Sequence, residues 1–369
     1  MNAVTFALWT AIAIVTVLLL SMVQRPLRRN MSIPIILIID ILKLLGSAVI
    51  LLCSITLKSY VIWNLHYTPV ILGSVLMCDA LADLIALTVH GLIRKGSFAV
   101  IAEVLSVLMS FSYIIYGTVN MQNITARETV FVSDKLQKEH TFVFLSDLHY
   151  LAVQTEETVD QAFREIAERK PEFVVLGGDI TDEHTSAEEM KAVYEKLGKL
   201  GVPVYFVYGN HDRQPNSDFL GGEKYSAEEL EETIRANGLT ILKEDSAVIS
   251  EDLVLFGRED ITMKQQRLPA DKLPSLLENR YAVCIDHSPK AAEENASAGF
   301  DLQLSGHTHA GQFFPMQYIY RLHFKNVSGR DKVGTMDICV TPGISGWYYP
   351  FRTAEHCTYE VITLRPEKL

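Results

Sequence analysis

"LSGHTHAGQFF" occupies Leu304–Phe314, where a short apolar run closes on Ser305 and Gly306 and two histidines follow two residues apart, at His307 and His309. Imidazoles at that spacing on an extended turn can face one way, as a metal cluster requires. A polar surface loop is the competing reading. Four other stretches share the construction and weigh on the choice. "TFVFLSDLH" ends in Asp147 and His149, and "FVVLGGDITD" delivers Asp179 and then Asp182. "VPVYFVYGNHD" ends in Asn210, His211 and Asp212, and "YAVCIDHSP" places Asp286 and His287 after its run. Each time, a run rich in β-branched and aromatic residues stops and metal-binding or proton-transfer groups follow. Helical stretches separate the runs, at Glu156–Arg169, Ser186–Leu200 and Ser226–Asn237. The last two open with Ser followed by Glu three residues on, a capping-box pattern. This alternation predicts a layered α/β domain. Ligands of such sheets gather at the carboxyl ends of strands, so the five turns are expected to open onto one cleft.

Taken singly, each feature has a plainer reading. Asp after a strand is commonly a cap or turn residue. The glycines at 177, 178, 209 and 306 also read as turn formers with unusual dihedrals. Ordered recurrence of ligand-type residues after five separate runs favours a metal site.

The ordered set D-x-H, GD-x-x-D, GNHD, an isolated H and GH-x-H resembles the five blocks of the calcineurin-like metallophosphoesterases, over about residues 140–360. The ending "GISGWYYPFRTAEHCTYEVITL" is similar to the close of that family's membrane-attached or exported bacterial branch. Ala310 departs from the glycine that many relatives carry after GHTH; it should alter the turn and leave the ligand positions intact. The resemblance implies two stacked mixed β-sheets with helices outside. It also implies a binuclear, bridging-hydroxide in-line hydrolysis of a phosphodiester, pyrophosphate or phosphomonoester. Asp147, His149 and His309 would bind one metal; Asn210, His287 and His307 would bind the other; Asp179 would bridge. His211 would act on the substrate.

The chemistry wants these residue types. Two cations about 3.5–4 Å apart neutralise phosphoryl oxygens and acidify a water. A nitrogen and oxygen donor set suits Mn, Fe or Zn, whereas Mg and Ca prefer oxygen alone. A carboxylate such as Asp179 has two oxygens with which to bridge. His211 is placed to protonate a leaving oxygen, with Asp212 or another carboxylate orienting it. Asp182 and Asp286 read equally as partners fixing a ligand histidine or as solvated turn residues. Arg258 in "FGRED" reads as a structural ion pair ahead of a phosphate contact.

The remainder of the chain is of another kind. Residues 1–121 carry seven Lys/Arg and four Asp/Glu, leaving 26 and 40 of the chain's 33 and 44, a net of −14 for residues 122–369. That acidity argues against a surface that coats nucleic acid. The two parts are expected to be a transmembrane domain, 1–121, and a phosphoesterase domain, 122–369. Bilayer crossing takes about 20 apolar residues, and four stretches qualify: Ala3–Val23, Ile33–Leu57, Pro69–Ile93 and Phe98–Asn120. Arg25, Arg28 and Arg29 follow the first, and Arg94 and Lys95 follow the third. Counting basic residues puts those loops in the cytoplasm and the C-terminal domain outside. Within the spans stand Asp40, Lys43, Asp79, Asp83 and Glu103. They fit either a structural pairing with Lys43 or a transport or substrate-access role, and a transporter or sensor with a regulatory metal-binding domain is the alternative function. The substrate is expected to be a phosphate ester, lipid-linked if proximity to membrane lipids decides it, and no partner protein is inferable. Cys339 and Cys357 are candidates to pair. The aromatic segment Phe313–Lys325 reads as core packing or as a lipid-facing flap.

Overall fold

The structure, a computed structural model, describes residues 15–17, 19–21, 31–56, 68–93, 98–220, 222–273 and 279–367. It divides into two compact units, Met1–Val119 and Asn120–Leu369.

In the first unit, α1 (Ile33–Thr56), α2 (Thr68–Ile93) and α3 (Phe98–Met121) are long and apolar enough to cross a membrane, so three of the four expected spans are described. Ala3–Val23 lies outside the described residues except for short helical pieces at 15–17 and 19–21, and both basic loops lie outside them entirely. Lys43 reaches across from α1 to α2, with Nζ 2.6 Å from Asp79 Oδ2 and 2.9 Å from Asp83 Oδ2. Asp79 and Asp83 share one helical face and are fully buried. Asp79 also accepts hydrogen bonds from Ser21 Oγ and Ser106 Oγ, each at 2.8 Å. The charges are thereby paired within the helices, as a packing role requires.

The second unit is built on central strands that are apolar on both faces, with partly exposed strands at the edges. In β1 (Ile124–Ser133) and β2 (His140–Leu145), and on through β3 (Val174–Leu176), β4 (Val204–Phe206) and β5 (Thr240–Ile241), one sheet forms in the order β1-β12-β2-β3-β4-β5. β2 through β5 run parallel, and β12 (Cys357–Pro366) joins β2 antiparallel. The second sheet is ordered β10-β11-β9-β8-β7-β6 and is parallel from β7 to β11 in space. Its strands are β6 (Asp245–Val248), β7 (Leu253–Gly257), β8 (Tyr281–Ile285), β9 (Leu302–Ser305), β10 (Gly329–Val333) and β11 (Met336–Val340).

Alternation along the strands sorts side chains into layers. Phe142 and Phe144 of β2 face inward between the sheets with Leu253, Leu255, Val283 and Leu304. Val143 and Leu145 face outward onto α4 (Glu156–Glu168), α5 (Ala187–Gly198) and α6 (Ala227–Ala236), meeting Phe163, Val193 and Leu230. Burying each such side chain contributes about 1.5–3 kcal/mol. Both faces are covered, which is why these strands read as continuous apolar runs. The helices start where the sequence says: Ser186 and Glu189 form a reciprocal capping box, and Ser226 accepts from Glu229 N. Cys78, Cys284, Cys339 and Cys357 are all free and buried, so Cys339 and Cys357 are unbridged.

Candidate metal centre

The parallel strands β2, β3, β4, β8 and β9 each release their chain into the expected turns. Asp147, His149, Asp179, His307 and His309 all adopt left-handed backbone, with φ between 43° and 70°. That region is uncommon for residues with a Cβ and is tolerated where the surrounding fold dictates it. Ala310, at φ 51°, joins them, so its turn is the one a glycine would favour. Among the four turn glycines only Gly178 needs a positive φ, at 88°; a Cβ on Gly209 or Gly306 would strike the Asp179 or Asp147 carboxylate. Those two glycines serve close approach, where the sequence pointed to dihedrals.

Two donor groups result. Asp147, His149 and His309 form one, and Asp179, His287 and His307 the other, with the ligand-type atoms of each group within 4.8 Å of one another. Asp179 touches both: its Oδ2 lies 3.9 Å from His149 Nε2 and 3.0 Å from His287 Nε2. His309 Nε2 stands 3.4 Å from Asp147 Oδ1. The His149 and His309 rings stack at 5.3 Å, and His287 meets His307 edge-on at 5.2 Å.

The opposite ring nitrogens are held from behind. His287 Nδ1 donates to Gly177 O at 2.8 Å and His309 Nδ1 to Ser345 O at 3.3 Å. A carbonyl only accepts, so these bonds place a proton on Nδ1 and turn Nε2 toward the cleft. His149 Nδ1 is held by Asp182 Oδ2 at 3.1 Å. Ser345 O is fixed in turn by Arg352, whose Nη2 donates to it at 3.0 Å. Arg352 O accepts from Asn120 Nδ2 at 3.1 Å.

Whether a divalent ion suits this place can be judged from the donors. His149 Nε2, His287 Nε2 and Asn210 Oδ1 are buried without any protein hydrogen bond, an arrangement that costs about 1–3 kcal/mol per group unless a ligand takes it up. His287 is near Asp179 but out of hydrogen-bond alignment. Burial pushes His307 down to about 4 and His309 to about 3, leaving neutral imidazoles with a lone pair. Burial also opposes charging His149 and His287, but Asp182 and Asp179 respectively outweigh it and raise both. A divalent ion replaces such protons when it binds. The residues fit a metal.

Beside these groups, His211 donates its backbone N–H to Asp179 Oδ1 at 2.7 Å. Its Nδ1 lies 2.8 Å from Glu183 Oε2, and its ring sits 5.5 Å from Trp347. Burial disfavours a charged His211, yet Asp179 and Glu183 prevail and lift it to about 9. Sequence reasoning left the orienting acid open and missed Glu183; its signal was a further acid directly after Asp182 in "GDITDE". Asp212 is committed elsewhere, accepting the N–H groups of Asp179, Ile180, Thr181 and Gly209.

Asp182 holds a ligand-type histidine, but Asp286 takes neither of the roles expected of it. It is buried and forms a two-pronged pair with Arg267, at 2.7 and 3.1 Å, plus a bond from Asn295. Arg258 is a buried structural cation held by Glu244 and Glu294. The Phe313–Lys325 segment is neither all core nor all flap: Phe313, Met316 and Phe324 are buried, whereas Tyr318 and Leu322 are exposed.

Comparison with known proteins fits this geometry. The family model described as calcineurin-like phosphoesterase matches residues 140–311. An uncharacterized metallophosphoesterase of Helicobacter pylori is 28% identical over 61% of this chain and 60% of its own length. Phosphodiesterase YaeI of Escherichia coli is 28% identical over 56% of this chain and 75% of its own. A Danio rerio transmembrane protein with metallophosphoesterase domain is 26% identical over 74% and 64%. The chain thus spans about 60% of the length of the Helicobacter pylori relatives it matches. Over residues 140–311, which carry the five strand-end turns, the chain matches the calcineurin-like phosphoesterase family.

Proposed function

We propose that this chain is a membrane-anchored, metal-dependent phosphoesterase acting on a phosphodiester, pyrophosphate or phosphomonoester. The carrying observation is the pair of donor groups that meet at Asp179, with His149 Nε2, His287 Nε2 and Asn210 Oδ1 buried and accepting or donating no hydrogen bond. Asp147, His149 and His309 would hold one ion; Asn210, His287 and His307 would hold a second; Asp179 would contact both. Two such ions supply neutralisation of the phosphoryl oxygens and an acidified attacking water. The nitrogen and oxygen donors favour Mn, Fe or Zn.

The chain's own residues do the rest. Asp182, Gly177 O and Ser345 O keep the imidazoles aimed into the cleft. His211, held by Glu183 and raised to about 9, presents a proton to the leaving oxygen. Similarity to a protein named a phosphodiesterase supports diesters, and similarity to one named a transmembrane protein supports anchoring.

The division at residues 121/122, a lipid-linked substrate and an extracytoplasmic catalytic domain belong to this reading. The basic residues at 25, 28, 29, 94 and 95 support that orientation. The test is Mn²⁺-dependent hydrolysis of bis(p-nitrophenyl) phosphate and p-nitrophenyl phosphate by the full chain in detergent, with Asp179→Ala beside it. Turnover in the parent that vanishes in the variant is expected. Silence of a folded, metal-loaded parent on both esters and on a lipid diester would reject the reading.

A further inference from the structure

Directly after the His307/His309 turn comes Phe313–Lys325, "FFPMQYIYRLHFK", which contains Arg321, His323 and Lys325 and no Asp or Glu. The segment is tied to the site at both ends. Phe314 N donates to Thr353 Oγ1 at 2.9 Å, and Thr308 Oγ1, between the two histidines, donates to Val327 O at 2.5 Å. Its inner side packs: Phe324 meets the His307 ring at 5.7 Å. Its outer side is exposed to solvent. Tyr318, in the short helix α7 (Met316–Tyr320), and Leu322, one turn on, are 57% and 81% exposed; Phe314, a turn earlier, is 40% exposed.

A single exposed leucine means little. Here an aromatic and an aliphatic side chain line one side of a segment whose exposed charges, Arg321 and Lys325, are both positive. Lys290 adds a third cation 5.2 Å from the Phe324 ring, and Lys325 is only loosely met by Glu293 at 3.5 Å. Apolar and aromatic side chains flanked by basic ones are the composition of a surface that settles into the headgroup layer. Charge selects the occupant. Residues 122–369 carry a net of −14, so an anionic bilayer repels most of this domain and attracts this segment. Attraction at one place and repulsion elsewhere fixes which face is presented.

We infer that Phe314, Tyr318 and Leu322 form an interfacial contact with an anionic lipid bilayer that brings the His307/His309 turn to the headgroup layer. The contact deepens the phosphoesterase reading, on which its consequence for substrate rests: the ester is one presented by a lipid at headgroup depth.

The experiment uses the full chain in phosphatidylglycerol-containing vesicles. A nitroxide is attached at Leu322→Cys with Cys53 replaced by serine; Cys78, Cys284, Cys339 and Cys357 are buried. Its relaxation by bilayer-dissolved oxygen is compared with that by a water-soluble nickel chelate. Rates on a soluble chromogenic diester and on a diester lipid embedded in the vesicle are measured for the parent and for Tyr318→Ser/Leu322→Ser. Oxygen should dominate, and the double variant should keep its soluble rate while losing about tenfold on the embedded ester. Dominant nickel relaxation, or equal retention of both rates, would overturn the contact. Absence of turnover on either ester by the parent strikes the phosphoesterase reading instead, and the nitroxide then judges the surface alone.

Discussion

Glu183 Oε2 lies 2.8 Å from His211 Nδ1, while Oε1 accepts from Asn216 Nδ2 at 2.7 Å. The carboxylate is pinned, so it fixes the imidazole's tilt and favours its charged form. Glu183→Gln keeps the shape and removes the charge. It should lower kcat about 10–100-fold, against about 10²–10⁴-fold for His211→Ala. Metal content by elemental mass spectrometry should stay at the parent's level in both. Lost metal in Glu183→Gln would contradict a role exerted through His211.

Asp182 has a different task, because its partner His149 is a donor-group residue. Oδ2 holds His149 Nδ1 at 3.1 Å and Oδ1 accepts from His184 N at 2.7 Å. Asp182→Asn should weaken Mn²⁺ binding about 10–100-fold, read by equilibrium dialysis. Excess metal should restore most of kcat, which separates this position from Glu183.

The strand ends were legible because the sequence stops abruptly there: five apolar runs buried on both faces, then ligand-type side chains. Glu183 was missed because its partner comes from another strand, and no spacing within "GDITDE" specifies a contact with His211. Asp286 misled for the same reason, since Arg267 lies nineteen residues away and meets it only through the fold. Gly209 and Gly306 looked like turn residues, although their reason is clearance for a carboxylate on a neighbouring loop. Local pattern reveals which side chains leave a strand; what they meet is a property of packing.

Ala310 is buried and held at φ 51° and ψ 29°, where a Cβ meets the following carbonyl and costs about 1–2 kcal/mol. Glycine removes that strain but gains unfolded-state freedom worth about 0.4–1 kcal/mol. Ala310→Gly should therefore stabilise the domain by roughly 0.5–1 kcal/mol, seen as a raised Tm in detergent, with metal content unchanged. A lowered Tm would show that contacts of the methyl group outweigh the backbone.

Lys43 pairs with both Asp79 and Asp83. Removing it leaves two buried carboxylates on one helical face. Lys43→Met should cost about 3–5 kcal/mol, whereas neutralising all three positions should recover most of that loss. Thermal unfolding of Lys43→Met and of Lys43→Met/Asp79→Asn/Asp83→Asn in detergent compares them. A silent Lys43→Met would remove the packing role.

Asp252 is the group whose titration the domain's stability should follow. It is nearly buried and accepts from Gln137 N at 2.7 Å and Ser250 Oγ at 2.5 Å, with His140 Nε2 at 3.1 Å. Burial pushes its carboxyl pKa upward, but those donors outweigh burial and hold it well below the usual range. A depressed folded pKa means stabilisation present above the unfolded value, about 3.9, and lost as pH falls toward the folded one. Asp252→Asn should therefore destabilise the domain by about 1–3 kcal/mol at pH 7, and the gap to the parent should narrow below about pH 4. Thermal melts at pH 7, 5 and 3 read this difference; a gap that stays constant across them would place the loss in shape and not in charge.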